Sequence, residues 1–142
     1  MTRTLHRKMR GHASTCRRPP RRWSGLFGLL AGTRVGQADA AADGVEETWT
    51  TDGLRAWFGH PSEQFDAARD VLLAEVDGRV VATGRTEWVD TRDNRHREYR
   101  LHGTVEPAHR GRGIGTALLA ELERRQRALA DHHAQERETV LM

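Results

Sequence analysis

The segment that most constrains this chain is Arg110-Gly111-Arg112-Gly113-Ile114-Gly115. Three glycines within five residues carry a high cost in conformational entropy, so the folded backbone must need them there. Before the segment, residues 98–105 read as a strand that Pro107 ends. After it, Ile114, Leu118, Leu122 and Leu129 recur at spacings of four, four and seven. That is one buried stripe of a helix running from about Gly115 to Ala130, with Glu121, Glu123, Arg124, Arg125 and Arg127 on its wet side. A strand that passes through a glycine-rich loop into an amphipathic helix predicts an α/β fold.

The same loop predicts chemistry. A loop that opens an α-helix leaves backbone N–H groups unpaired and carries the positive end of the helix dipole. That geometry binds phosphate oxygens. Side chains at 111, 113 and 115 would stand between an anion and those N–H groups, and glycine removes them. Arg110 and Arg112 add permanent positive charge. A charge-assisted hydrogen bond contributes roughly 1.5–3 kcal/mol, so a diphosphate accepting several is held firmly. The spacing excludes two familiar phosphate loops. A Walker A loop ends in Gly-Lys-Ser/Thr, and no lysine is present here. The dinucleotide fingerprint places its third glycine three residues after the second, where this chain has Thr116.

Upstream, the pattern is helical and then extended. Residues 24–34 suggest a short helix weakened by glycines, and residues 35–47 read as a loop. Thr50 or Thr51 can cap a second helix, with Leu54, Trp57 and Phe58 on one face and Pro61 as its stop. Val71 to Val76 and Val80 to Val89 form two strands joined by the tight-turn pair Asp77-Gly78. Residues 90–97 are a polar connection, and Thr139-Val140-Leu141-Met142 reads as the start of another strand.

Arg110, Gly113 and Gly115, directly after a strand ending Val105-Glu106-Pro107, resemble the Arg-x-x-Gly-x-Gly signature of the GNAT superfamily of N-acetyltransferases. Thr116-Ala117-Leu118-Leu119 matches that family's usual helix start, and the resemblance covers roughly residues 50–142. The stretch His102-Gly103-Thr104-Val105, with Trp49 and Trp57, looks more like the first domain of actinobacterial tandem acetyltransferases. The resemblance implies a GNAT-type αβα three-layer fold with a mixed, mostly antiparallel sheet. It implies acetyl-CoA as acyl donor, an amine acceptor and direct attack. Its diphosphate would sit on Arg110, Gly111, Arg112, Gly113, Ile114, Gly115 and Thr116, and its pantetheine arm would pair with the backbone near Thr104 and Val105.

Catalytic residues do not follow from the resemblance. The family's usual general acid is a tyrosine on the helix after the next strand, and this chain ends at Met142. Tyr99, the one tyrosine, lies on a different element and reads as a packing residue. Glu98, His102 and Glu106 lie on or beside the motif strand as conceivable bases. The expectation is therefore an incomplete domain: residues 24–142 as a partial acetyltransferase domain behind a basic, disordered arm at 1–23. A fragment, a frameshifted product or one piece of a tandem protein would each account for it.

Charge separates the two parts. Residues 1–38 hold nine Lys/Arg and no Asp or Glu, while the rest holds 14 basic against 20 acidic residues. The net charge of +3 therefore belongs to the arm. Arg21-Arg22 before the apolar patch Trp23–Ala31 imitates an export signal, but Ser24, Gly25 and Gly28 interrupt it. No run approaches the ~18 apolar residues of a membrane span, so the expected location is the cytoplasm, where acetyl-CoA is available. Cys16 is the single cysteine and no histidine pair has ligand spacing, so no metal is expected. Two other readings compete. One is an acyl-CoA binder without turnover. The other is a nucleic-acid binder through residues 3–22, disfavoured because no recognition motif or aromatic stacking set accompanies the charge. The acceptor's identity and the oligomeric state are not encoded in any motif.

Overall fold

The computed structural model describes residues 26–46, 50–93, 95–133 and 138–142. The basic arm expected over residues 1–23 lies outside them. Helix α1 spans Leu26–Asp43, α2 Thr51–Phe58 and α3 Ala67–Asp70. Strands β1 (Val71–Val76), β2 (Arg79–Asp90) and β3 (His96–Val105) follow, then a 3-10 turn at Pro107–His109, helix α4 (Ile114–His132) and strand β4 (Glu138–Leu141). The strands form one sheet in the order β1-β2-β3-β4.

The hairpin turns where the Asp-Gly pair predicts it. Asp77 and Gly78 have φ of 51° and 78°, the two positive values that let a two-residue turn match the twist of the flanking strands. β2 then pairs antiparallel with β3 from Ala82↔Val105 to Asp90↔Arg97. β4 joins β3 in parallel, from His96↔Glu138 to Tyr99↔Leu141, so the sheet is mixed but mostly antiparallel.

Alternation of side chains along the strands gives the sheet two apolar faces, and helices cover both. On one face Ile114, Leu118 and Leu122 of α4 pack on Leu72, Ala74 and Ala82. Gly84 makes this approach possible, because a Cβ there would stand 2.7 Å from Leu122 Cδ1. On the other face Ala31 and Val35 of α1 meet Val80 and Leu73, and Phe65, Ala67 and Phe58 close over Val71. The result is the expected αβα arrangement.

Two expectations are corrected. Residues 35–43 are helical, not a loop: α1 continues through Ala40 to Asp43. Val35 is fully buried, and Thr33 and Ala40 are also buried, so small residues supply the contact stripe that larger ones usually mark. In α4 the fourth buried position is Gln126, with Leu129 only half-buried. Gln126 Nε2 donates to Glu87 O at 2.8 Å and to Arg100 O at 3.4 Å, so its amide ties α4 to β2 and β3. A buried amide that reaches backbone acceptors avoids the desolvation penalty of an unpaired one.

α2 begins as expected. Thr50 is its N-cap, and its hydroxyl accepts from Gly53 N at 3.0 Å. Leu54 is buried and Phe58 half-buried, while Trp57 is exposed on one side and carries Arg85 over its ring at 4.3 Å.

Candidate active site

The glycine-rich loop lies between the end of β3 and the start of α4. After Val105 the 3-10 turn brings Arg110 N back to Pro107 O at 3.2 Å. Gly111 and Gly113 then take φ of 72° and 83°, a left-handed backbone that glycine adopts without strain. Gly113 is the N-cap of α4 and has no side chain with which to cap it. Ala117 N donates to Gly113 O at 3.0 Å, the first bond of the helix. Among the described residues, no backbone bond is made by the amides of Gly111 or of Gly113, Ile114, Gly115 and Thr116. These donors stand at the positive end of a 19-residue helix, a geometry that suits an anion.

A cleft of about 500 Å³ opens over these amides. It is lined by Thr104 and Val105 from β3, by Arg110, Gly111, Gly113, Gly115 and Thr116, and by Asp39 and Asp43 from α1. Seven of the nine residues expected to hold the coenzyme therefore meet at one place. The other two do not face it. Ile114 is buried in the core against Leu118 and Leu122, which leaves its amide as the available group. Arg112 is exposed and does not line the cleft.

The glycines have separate reasons. Nothing lies within 4 Å of a Cβ built at Gly111 or Gly113, so there the backbone angle demands glycine. At Gly115 a Cβ would meet Val105 Cγ2 at 3.4 Å, where close contact with the motif strand favours a small residue.

β4 covers only part of the β3 edge. It pairs as far as Tyr99, and Leu101 N reaches Met142 O at 2.9 Å. From His102 to Val105 no described strand lies on that side, so the edge that faces the cleft can pair with an extended ligand.

Arg110 has partners that sequence reasoning missed. Its Nη1 donates to Asp43 Oδ1 at 2.9 Å, its Nη2 bonds Asp39, and its Nε reaches Val105 O at 3.3 Å. Asp43, then Asp39, raises the guanidinium pKa. Both carboxylates belong to the stretch expected as a loop, and only its helical form places them together, four residues apart.

The three conceivable bases separate clearly. Glu106 is buried and held by Arg79 and Arg34, each at 2.7 Å. The bond from Arg79, with the charge of Arg34, pulls its carboxyl below the usual range, so it is a fixed anion that joins α1 to the sheet. Glu98 is bonded to Arg100 at 2.8 Å near the far end of β3. His102 stands beside Gly103 and Thr104, with Nε2 3.4 Å from Glu87 Oε1. Burial, then the neighbouring Arg85, pushes its pKa below the ordinary value. It lines a narrow slot of about 30 Å³ with Trp57, Leu54 and Arg85. Gly103 and Thr104 line both slot and cleft, so the two spaces meet across β3. Tyr99 is buried, with its hydroxyl bonded to His133 Nδ1, and is a packing residue as expected.

No described helix is long and apolar enough to cross a membrane. A model of the GNAT acetyltransferase domain matches residues 67–140. Among solved structures the chain is similar to a GCN5-related N-acetyltransferase from Sphaerobacter thermophilus, with 24% identity and a TM-score of 0.58. That similarity covers 79% of this chain and 33% of the other. A ribosomal-protein-alanine N-acetyltransferase from Brucella melitensis is 25% identical with a TM-score of 0.54, over 77% of this chain and 67% of its own. A protein from Clostridium acetobutylicum described as a predicted acetyltransferase, solved with acetyl-CoA, is 19% identical with a TM-score of 0.57, over 84% and 77% respectively. Among curated proteins none matches the sequence significantly.

Proposed function

Since the chain belongs to the GNAT acetyltransferase family, we propose that it binds acetyl-CoA in the cleft between β3 and α4 and transfers the acetyl group to an amine. The observation that carries this reading is that, among the described residues, the amides of Gly111 and of Gly113 to Thr116 make no backbone bond and open onto an edge of β3 that no described strand covers. The amides take the diphosphate, and the backbone near Thr104 and Val105 pairs with the pantetheine arm. That arm directs the thioester toward Gly103 and Thr104. A strand N–H there polarises the carbonyl in the manner of an oxyanion site. The acceptor enters from the slot beside His102. Its nitrogen bonds the acyl carbon, the carbon–sulfur bond breaks, and the coenzyme leaves as thiolate.

His102 takes the amine's proton in this scheme, oriented by Glu87. Its lowered pKa favours the neutral imidazole, the form a base needs. Residues 24–142 act as the acetyltransferase unit, residues 1–23 as an appended basic arm, and the location is the cytoplasm.

Calorimetric titration with coenzyme A and acetyl-CoA tests the donor site. Saturable binding is expected, with loss in Gly113→Val, whose β-branched side chain is strained in the left-handed backbone that aims the loop amides. Unchanged affinity in that folded variant refutes the site. Thiol release against an amine panel then separates turnover from an acyl-CoA binder that lacks it.

A further inference from the structure

The cleft that would take the diphosphate is not walled by positive charge alone. Asp39 and Asp43 lie on one face of α1 and line it together with Arg110. Asp43 accepts from Arg110 at 2.9 Å and Asp39 accepts from the other terminal nitrogen. One guanidinium between two carboxylates leaves this wall with a net negative charge at neutral pH. A diphosphate entering here meets amide donors ahead and, beside it, a guanidinium already bonded to two carboxylates.

The contacts are also exchangeable. All three side chains are solvent-accessible, at 39% for Arg110, 32% for Asp39 and 53% for Asp43. Ion pairs at such sites are screened by water and add little to stability. The attachment of α1 to the sheet rests elsewhere, on buried Val35 against Val80 and on the pair Arg34–Glu106. Arginine's planar fork recognises carboxylate and phosphate through the same paired N–H geometry. Held against it, the two carboxylates occupy both terminal nitrogens of that fork.

We infer that Asp39 and Asp43 are an internal competitor for the coenzyme's phosphates: Arg110 is lent to α1 and must be handed over when the diphosphate binds. The carboxylates thereby weaken coenzyme binding and favour release of the product coenzyme. This rests on the donor-site reading above, and it adds a determinant of affinity on α1, outside the glycine loop.

The test is a mutant cycle read by calorimetry with coenzyme A on the full chain. The proteins are wild type, Asp39→Asn/Asp43→Asn, Arg110→Met and the triple variant, each checked for folding by thermal melting. The double variant is expected to bind about tenfold tighter, the gain when two exposed ion pairs, each worth up to roughly fivefold, no longer have to be broken to free Arg110. With Arg110→Met in place the same two changes should alter affinity less than about twofold, because no guanidinium remains to be released. Equal or weaker binding by the double variant overturns the inference, since the carboxylates would then be positioning Arg110. A tenfold gain that persists with Arg110→Met also overturns it, since plain repulsion would suffice. In either case wild-type binding that Gly113→Val removes leaves the donor site standing. Absence of binding in all four proteins refutes the donor site and the inference with it.

Discussion

Gly113→Ala and Gly115→Ala are chemically the same change two residues apart, and the structure predicts opposite signs for them. Gly113 sits at φ 83°, and a Cβ there meets nothing within 4 Å, so no clash contributes. The cost is backbone strain, about 1–2 kcal/mol for an L-residue in the left-handed region. Against this, alanine restricts the unfolded chain and returns roughly 0.4–1 kcal/mol. The net expectation is destabilisation by about 0.5–1 kcal/mol. Gly115 lies in the first turn of α4 without positive φ, and its Cβ would touch Val105 Cγ2 at 3.4 Å, an ordinary contact. There alanine's helix propensity favours folding by up to ~1 kcal/mol. Urea unfolding by linear extrapolation measures both, and an unchanged m-value shows that stability alone moved. Binding should separate the variants further. On the proposed reading, relief of strain at 113 re-aims the amides assigned to the diphosphate, so coenzyme affinity should fall about tenfold, whereas Gly115→Ala keeps those amides in place. Equal stabilities for the two variants, or a Gly115→Ala protein less stable than Gly113→Ala, would refute the conformational argument for this loop.

Three further outcomes follow from the same geometry. Gln126→Ala should lower stability by about 2–3 kcal/mol, since it opens a cavity and removes the donor to Glu87 O, and Gln126→Leu should recover part of the loss by refilling the space; denaturant midpoints decide. Arg124, then Arg125, bonds the Glu121 carboxyl and holds its pKa down to about 2 from an ordinary 4.5. This contribution is therefore complete above about pH 4.5 and lost as the pH falls through 2. Glu121→Gln should lower the melting temperature at pH 7 and match wild type near pH 2. Acetyl transfer should rise with pH through the lowered pKa of His102 and stay level above it, and His102→Gln should abolish that limb of the profile. A profile unchanged in His102→Gln would remove His102 as the base.

The parts of the fold legible in the sequence are those where local chemistry and tertiary packing agree. Asp77-Gly78 demands positive φ at two successive residues, and the strands on either side follow. The stripe Ile114, Leu118, Leu122 and the glycines of the loop carry both the last helix and the left-handed turn that opens it. Helix α1 was not legible over residues 35–43 because Gly36, Ala38, Ala40, Ala41 and Ala42 present no large apolar period. Its burial comes from the sheet face it meets, a long-range contact that a local pattern does not contain. Gln126 was hidden for the same reason: a polar residue in a core stripe is explained only by the two strand carbonyls above it. The pairing of Arg110 with Asp39 and Asp43 spans 71 and 67 residues and depends on α1 being helical. Reading residues 35–43 as loop therefore conceals that part of the candidate site as well.

The role of the loop amides is tested most directly by proton–nitrogen correlation spectra of the labelled chain during titration with coenzyme A. The amide signals of Gly111, Gly113, Ile114 and Gly115 should move first and farthest downfield, as N–H groups do when they bond phosphate, with Thr104 and Val105 following. Large shifts elsewhere, with those amides unmoved at saturation, would contradict the account.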